Sequence, residues 1–295
     1  MFKSGFVTII GQPNVGKSTL LNKILNEKVA IVSPKPQTTR NKIIGILNDE
    51  ESQIIFIDTP GIHKSKNKLD EYMQDSVSSA VQDVDIVLIV LDGTKPLRDK
   101  DIEFVKSYDK HNTILVINKI DIAEFQKLLP KLEVFNKLKN IKDIVPISAK
   151  TGKNVNVLVD IIKKHLQPGE KYFLNDEFTD KSERFLVSEA IREKVLLLLQ
   201  DEIPHGVAVD IIEYKETESL YTISADLICE RESHKKIIIG KGGEMLKKIG
   251  IQARKEIEEI VGTKVMLNLY VKVRENWRNN KNYMNEYGYN KNELK

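Results

Sequence analysis

Hydrophobic and polar positions alternate along this chain in two different rhythms, and the change between them divides it. Phe6–Ile10 is β-branched and apolar and runs into a glycine-rich turn, after which Lys17 to about Asn26 has helical spacing. Ile43–Leu47 and Ile54–Ile57 flank Asn48-Asp49-Glu50-Glu51-Ser52, a turn-rich connection that predicts an antiparallel hairpin. Further strands are predicted at Ile86–Leu91, Thr113–Ile117 and Ile144–Ile147, with helical patterns around 69–82, 99–110, 124–140 and 154–166. Strands that alternate with helices argue for a doubly wound α/β domain, a mostly parallel sheet with one antiparallel strand.

The rhythm breaks at Gln167-Pro168-Gly169-Glu170, where Pro-Gly ends the last helix and a weakly periodic polar stretch follows. The expected division is therefore a first domain over 1–168, a linker over 169–182, a second domain over 183–279 and a flexible tail over 280–295, rich in Asn, Lys and Tyr. Within the second domain, Phe185–Gln200 reads as a helix, Val207–Ile212 and Tyr221–Ile228 as strands joined by a turn at Lys215–Glu218, and Glu244–Val261 as a helix. Lys235–Ile239 is a strand-like run into Gly240-Lys241-Gly242-Gly243, and Lys264–Val273 alternates as a strand, for an α-β-β-α-α-β order and a small α+β fold. There is no internal repeat.

Composition narrows the class. The 295 residues contain one cysteine, Cys229, so an internal disulfide and a multi-cysteine zinc site are excluded and a reducing cytoplasmic setting is the default. The longest apolar run, Ile86–Leu91, is far below the ~18–20 residues that span a bilayer, and no apolar core of signal-peptide length precedes Gly11. The net charge of +3 conceals a division: residues 169–234 hold 7 basic and 16 acidic side chains, whereas 235–278 hold 11 and 5. A basic block thus lies directly behind an acidic one, which suits a localised phosphate-binding stripe rather than indiscriminate binding.

Three segments carry nucleotide chemistry. Gly11-Gln12-Pro13-Asn14-Val15-Gly16-Lys17-Ser18, followed by Thr19, fits G-x-x-x-x-G-K-S between a predicted strand and a predicted helix. Its backbone N–H groups and the helix N-terminus suit phosphate, with Lys17 reaching the β- and γ-phosphates and the Ser18 hydroxyl ligating Mg2+. Asn118-Lys119-Ile120-Asp121 selects the base: the Asp121 carboxylate can accept from the ring N–H and exocyclic amine of guanine, where adenine would oppose it with a lone pair. Ser148-Ala149-Lys150 follows the next strand and offers a backbone N–H to the guanine oxygen. Asp58-Thr59-Pro60-Gly61 places Asp58 to hold Mg2+ through water and the Gly61 N–H to sense the γ-phosphate, with Ile62 next in the loop. A second switch is expected in Val29–Asn41, where Thr39 is favoured over Thr38 as a Mg2+ ligand. His63 is read as a solvated loop residue rather than a general base.

These motifs, in this order, resemble those of the translation-factor-like GTPases. The second half narrows the resemblance to the Era family of bacterial ribosome-assembly GTPases, which it carries in Ser188-Glu189-Ala190-Ile191-Arg192-Glu193-Lys194, Glu230-Arg231-Glu232-Ser233-His234-Lys235-Lys236, Ile239-Gly240-Lys241-Gly242-Gly243-Glu244 and Lys272-Val273-Arg274-Glu275-Asn276-Trp277-Arg278. The resemblance covers nearly the whole chain. It implies a P-loop GTPase domain followed by a type II KH domain, hydrolysis of GTP to GDP and phosphate, and binding to 16S ribosomal RNA of the 30S subunit. It further implies a monomer and a peripheral association with the inner face of the cell membrane.

The Gly240-Lys241-Gly242-Gly243 turn resembles the KH loop that admits a sugar–phosphate chain, beside a groove for about four unstacked nucleotides. Around it stand Lys235, Lys236, Lys247, Lys248, Arg254, Lys264, Lys272, Arg274 and Arg278; Lys235, Lys236, Gly240, Lys241, Gly242, Gly243, Lys247 and Arg254 are the RNA-binding candidates. Trp277 can either stack on a base or pack. Ile62 stands where many small GTPases carry a water-orienting glutamine, and residues 1–168 hold only Arg40 and Arg98 as arginines, so slow intrinsic turnover is expected. Asn14 either helps to coordinate potassium, as in related GTPases, or only shapes the loop. Two other function classes stand beside an RNA-binding switch: a membrane- or protein-recruiting GTPase, and an RNA-binding module with a dead nucleotide site.

Overall fold

The structure is a computed structural model that describes residues 1–62, 65–138, 141–174 and 177–294. His63 lies outside the described residues.

Nine strands and nine α-helices are described. In the first half these are β1 (Lys3–Gly11), α1 (Lys17–Leu25), β2 (Ile43–Asn48), β3 (Ser52–Asp58), α2 (Lys68–Ala80), β4 (Ile86–Asp92), α3 (Asp99–Lys106), β5 (Thr113–Asn118), α4 (Phe125–Phe135), β6 (Ile141–Pro146) and α5 (Val155–His165). They build one six-stranded sheet in the order β2-β3-β1-β4-β5-β6. Only β2 runs antiparallel, pairing Ile43 with Asp58 and Asn48 with Gln53.

Both faces of this sheet are buried, which explains strands that read as apolar runs rather than clean alternation. Along β1, Val7 and Ile9 enter one core and Ile10 the other; along β4, Leu88 and Val90 take the first face while Val87, Ile89 and Leu91 take the second. Leu20, Leu21 and Ile24 of α1 and Val155, Leu158 and Ile162 of α5 close the first core. Val77 of α2, Val105 of α3 and Phe135 of α4 close the second. Because β3, β1, β4, β5 and β6 run parallel, their C-terminal ends share one end of the sheet, where the loops after β1, β3, β5 and β6 gather, as expected for ligand sites in open α/β sheets.

The second half contains α6 (Glu183–Leu198), β7 (Ala208–Glu216), β8 (Tyr221–Cys229), α7 (Glu232–Ile239), α8 (Glu244–Val261), β9 (Val265–Val273) and α9 (Lys281–Glu286). Its sheet has the order β7-β8-β9, antiparallel between β7 and β8 and parallel between β8 and β9. Ile249, Ala253 and Ile257, each one helical turn apart on α8, pack with Val187, Ile191 and Val195 of α6 over the sheet.

Three expectations change. Glu232–Ile239 is a helix, not a strand-like run, so the glycine turn lies between two helices. So short an apolar run cannot be told from a strand by periodicity, and the i→i−4 bonds of Lys235 N–H to the Arg231 carbonyl and Gly240 N–H to the Lys236 carbonyl decide for the helix.

The tail is folded rather than flexible. Met284, Tyr287, Tyr289 and Leu294 are buried with Trp277, Ala208, Ile228, Leu69, Tyr72 and Met73. Asn, Lys and Tyr look polar in composition, but tyrosine rings bury large apolar areas.

The linker is not free either: Tyr172 and Phe173 donate backbone N–H groups to Gln53 Oε1 at 2.6 and 3.0 Å, and the Phe178 carbonyl accepts from Ile46 at 2.9 Å. By its contacts the chain divides into one compact unit of Met1–Ala30, Thr39–His63 and Gln74–Asp180 and a second of Ile31–Thr38, Lys64–Met73 and Lys181–Lys295. No described helix is long and apolar enough to cross a membrane.

Candidate nucleotide and nucleic-acid sites

The glycine-rich loop after β1 turns into α1 through Gly16, whose φ is +97°. A Cβ there would lie 2.3 Å from Asn118 Nδ2, so glycine is required both by conformation and by this neighbour. That amide donates to the Val15 carbonyl at 2.8 Å. The Asn118 Oδ1 accepts from the backbone N–H groups of Lys119 and Ala149, at 2.7 and 2.9 Å. One side chain therefore ties together the phosphate loop, the Asn118–Asp121 loop and the Ser148–Lys150 loop. Lys119 adds a second tie, donating to the Asn14 carbonyl and to Asp92 Oδ2, both at 2.8 Å. The carboxylate of Asp121 and the Lys150 side chain remain exposed at the rim, with Ser148 and Ala149 buried behind them.

Lys17 is buried inside the loop, donating to the carbonyls of Gly11 at 3.2 Å and Gln12 at 3.4 Å. Burial lowers its ammonium to a pKa of about 8, against the opposing pull of the Asp58 carboxylate. The same burial raises the Asp58 carboxyl, with Lys17 working against it.

Three of the oxygens expected around Mg2+ meet here. Ser18 Oγ donates to Asp58 Oδ2 at 2.6 Å and lies 2.8 Å from Thr39 Oγ1, which is 3.5 Å from the same carboxylate oxygen. Asp58 Oδ1 is buried without a well-formed hydrogen bond. Thr38, by contrast, is occupied within its own loop, donating to the Lys35 carbonyl at 2.7 Å and lying 2.8 Å from Ser33 Oγ. An all-oxygen cluster with one oxygen left over fits a small hard cation.

Behind Thr59, whose hydroxyl donates to the Ile9 carbonyl at 2.8 Å, and Pro60, Gly61 lies against the phosphate loop. A Cβ on Gly61 would come within 2.8 Å of Pro13. The Ile62 side chain packs into the second sheet core.

Sequence reasoning missed part of this machinery. Asp92, the last residue of β4, anchors Lys119 and also accepts from Thr94 Oγ1 at 2.6 Å, while Lys131 donates to its carbonyl. Its signal is a lone carboxylate terminating a wholly apolar run. Arg98 is held by Asp101 through Nε and Nη2, both at 3.0 Å, and reaches Gln12 Oε1 at 3.2 Å. Arg40 is fully buried.

The second candidate site is built differently. Gly242 and Gly243 have φ of +60° and +83°, and a Cβ on either would meet nothing within 4 Å. The turn leads into a groove of about 460 Å3 between α8 and β9, lined by Gly243, Leu246, Lys247, Ile251, Arg254 and Met266, among others. Its apolar side chains are partly in solvent, with Ile251 and Met266 more than half exposed. Lys241, Lys247 and Arg254 are exposed, and Lys235 and Lys236 stand on α7 outside the groove lining.

Several of the ten expected cations are engaged by other groups, Arg254 with Glu258 at 3.9 Å among them. Lys272 pairs with buried Asp226 at 2.5 Å and Arg278 with Glu230 at 2.5 Å. Trp277 is fully buried and donates Nε1–H to the Gly206 carbonyl at 2.9 Å, so it packs rather than stacks on a base.

Comparison with known proteins places both sites in context. A family model described as a 50S ribosome-binding GTPase matches residues 6–119, and a KH-domain model matches 202–278. GTPase Era of Clostridium botulinum (strain Eklund 17B / Type B) is 53% identical over 294 residues, 99% of this chain and 100% of that protein. GTPase Era of Clostridioides difficile (strain 630) is 50% identical over 98% of this chain and 99% of its own length. Among solved structures, a point variant of Aquifex aeolicus Era bound to GDP and AlF4− superposes with a TM-score of 0.93 at 42% identity, covering 98% of this chain and 99% of that one. An Era complex with MgGDPNP and nucleotides 1506–1542 of 16S ribosomal RNA matches with the same score, identity and coverage.

Proposed function

Because the chain belongs to the Era GTPase family, we propose that it is a nucleotide-dependent switch that binds 16S ribosomal RNA through its KH domain during maturation of the 30S subunit. It hydrolyses GTP to GDP and phosphate, and its P-loop domain binds these nucleotides with Mg2+.

The geometry supports a role for each residue of the nucleotide loops. Asp121 reads guanine, assisted by a backbone N–H of the Ser148–Lys150 loop, and Asn118 and Lys119 hold that loop against the phosphate loop. Gly11–Thr19 wraps the phosphates, with Lys17 as the buried cation beneath them. Ser18 and Thr39 would hold Mg2+ directly and Asp58 through water; the bound ion supplies charge neutralisation on the β- and γ-phosphates. The Gly61 N–H, backed against Pro13, is the contact that distinguishes a nucleotide with a third phosphate from one without it.

Turnover by the isolated protein is slow, in the unassisted range of ~10⁻⁴–10⁻² s⁻¹. Ile62 cannot orient water, Arg98 is engaged by Asp101, and Arg40 is buried.

For RNA, the carrying observation is the groove of α8 and β9: an apolar floor left in solvent, cations on its rim, and two positive-φ glycines with no neighbour. Bases can rest on the floor while the phosphates follow Lys241, Lys247 and Arg254. Crosslinking with a GTP analogue or GDP, followed by sequencing of the bound fragments, tests this reading. Enrichment of 16S fragments that depends on the nucleotide is expected. Nuclease-resistant recovery with membranes and no RNA enrichment would overturn it.

A further inference from the structure

Behind the phosphate loop, within the first compact unit, α3 makes a set of contacts that the reaction so far leaves without a role. The Gln12 side chain reaches this helix: its Nε2 donates to Asp101 Oδ1 at 3.0 Å and its Oε1 accepts from Arg98 Nη2 at 3.2 Å. Asp101 is buried and is itself fixed by Arg98, which donates from Nε, Nη2 and the backbone N–H at 3.0, 3.0 and 3.1 Å. Hydrogen bonds rather than close packing hold the amide, because Gln12, Arg98 and Asp101 border a cavity of about 20 Å3 together with Val15, Asp92 and Lys131. The next residue, Pro13, is the one against which Gly61 lies: a Cβ on Gly61 would stand 2.8 Å from Pro13 Cα and 2.9 Å from its nitrogen. On the other side of Gln12, the Gly11 carbonyl accepts the Ile62 N–H at 3.3 Å.

We propose that Asp101, held by Arg98, is a positioning residue for the third phosphate: through the Gln12 amide it sets the Gln12–Pro13 segment that Gly61 lies against. This role rests on the reading of the Gly61 N–H as the γ-phosphate contact. A carboxylate suits the amide because a charge-assisted hydrogen bond is roughly twice as strong as a neutral one. The transmission is stiff, since the ring locks φ of Pro13 and the residue before a proline is confined to extended backbone, so Gln12 and Pro13 move as one block. GDP presents no group to Gly61, and its binding depends on the loop N–H groups and Lys17 rather than on where Pro13 sets Gly61. Displacement of reacting groups by about 1 Å can cost a hundredfold in rate, so release of this block has a measurable consequence.

The test compares the binding of GDPNP and of GDP to the full chain, both at saturating Mg2+. Gln12→Met keeps the length of the side chain and leaves the Arg98–Asp101 pair in place, but removes both hydrogen bonds to the amide. It is expected to weaken GDPNP by about tenfold more than it weakens GDP, the scale of one lost hydrogen bond to a charged group. Single-turnover hydrolysis at saturating GTP should slow by a similar factor. Asp101→Asn should lower the preference for GDPNP over GDP in the parent background and have no further effect on it in Gln12→Met, because both changes cut the same link.

Asp101→Asn also weakens the start of α3, where the carboxylate accepts the Arg98 backbone N–H; that loss lowers thermal stability in both backgrounds alike and leaves the preference between nucleotides untouched. A folded Gln12→Met with the parent's preference would overturn the proposal. So would additive effects of Gln12→Met and Asp101→Asn on that preference, since Asp101 would then act by another route. Gly61→Ala separates the two layers, because its Cβ would press on Pro13. An unchanged preference in that variant sinks the γ-phosphate reading of Gly61 and the positioning role with it. A shifted preference there, with a parent-like Gln12→Met, sinks only the positioning role.

Discussion

The two candidate sites of this chain both present glycine-rich turns suited to phosphates, yet they are built by opposite means. In the nucleotide loops the polar groups are buried and already hydrogen-bonded to one another: Lys17 to the Gly11 carbonyl, Ser18 to Asp58, Asn118 to three loops at once. In the groove of α8 and β9 the cations are exposed and Gly242 and Gly243 leave open space where a Cβ would stand, although Gly240 of the same turn packs on Met245. Gly16 is glycine because Asn118 leaves no room for a Cβ; Gly242 and Gly243 have room on all sides. The lesson concerns specificity. A buried site discriminates by leaving wrong partners unsatisfied, whereas an open cationic groove accepts a chain and reads it by shape and stacking.

The sharpest way to break this contrast is at Asp121. Asp121→Asn removes two charge-assisted hydrogen bonds to guanine, so GTP affinity should fall by about 10²–10⁴. Xanthosine triphosphate, which presents a carbonyl in place of the amine, should bind the variant better than GTP does. Titration with both nucleotides checks the pair of outcomes, and equal losses for both would mean that Asp121 serves the loop rather than the base.

Next in size is the open site. Lys241→Asp with Gly242→Asp should weaken RNA binding by at least about a hundredfold and leave GTP affinity unchanged, because it reverses charge where phosphates would lie. Gly242 sits at φ +60°, which aspartate tolerates better than most residues, with free space for its side chain, so the domain should stay folded. RNA affinity that survived this change would remove the groove from the binding surface.

A smaller effect tests burial itself. Free of nucleotide, Lys17 titrates near pH 8, below the ordinary lysine value. Phosphate favours its charged form, so proton uptake on binding grows as pH rises through that value, from about a tenth of a proton at pH 7 to about a half at pH 8. Between pH 8 and 9, affinity for GDP should therefore fall with rising pH by up to about tenfold per unit, and below pH 7 it should be flat with respect to Lys17. Calorimetry in buffers of different ionisation enthalpy measures the uptake, and Lys17→Ala should abolish it.

The smallest expected change lies on the groove's rim. Lys247→Ala should lower the slope of log affinity against log salt by about 0.7, one phosphate contact of a single strand, with little dependence on RNA sequence.

Much of the fold and most of the nucleotide site were legible in the chain. Strands buried on both faces produce apolar runs, and a phosphate loop needs its glycines and lysine at set spacings, so local sequence carries both signals. Asp92 was missed because a carboxylate at the end of a strand has no motif of its own; only the neighbouring strand brings Lys119 to it. The folded tail was missed for a related reason. Met284, Tyr287, Tyr289 and Leu294 have no periodicity long enough to recognise, and their burial depends on partners such as Trp277 and Leu69, far away in sequence.

The sequence by itself determined most of the element order, the nucleotide chemistry and the presence of a glycine turn among basic residues, since each is written in contiguous segments; α7 and α9 were not legible in it. Tertiary structure decided which of those residues are available. It engaged Lys272 and Arg278 with Asp226 and Glu230, buried Trp277, occupied Thr38 within its own loop while bringing Thr39 to Ser18, and linked Ile31–Thr38 to α6. The physical reason is that residue type and spacing prescribe what a side chain can do. Whether it is free to do it depends on burial and hydrogen-bond partners, which distant parts of the chain supply only on folding.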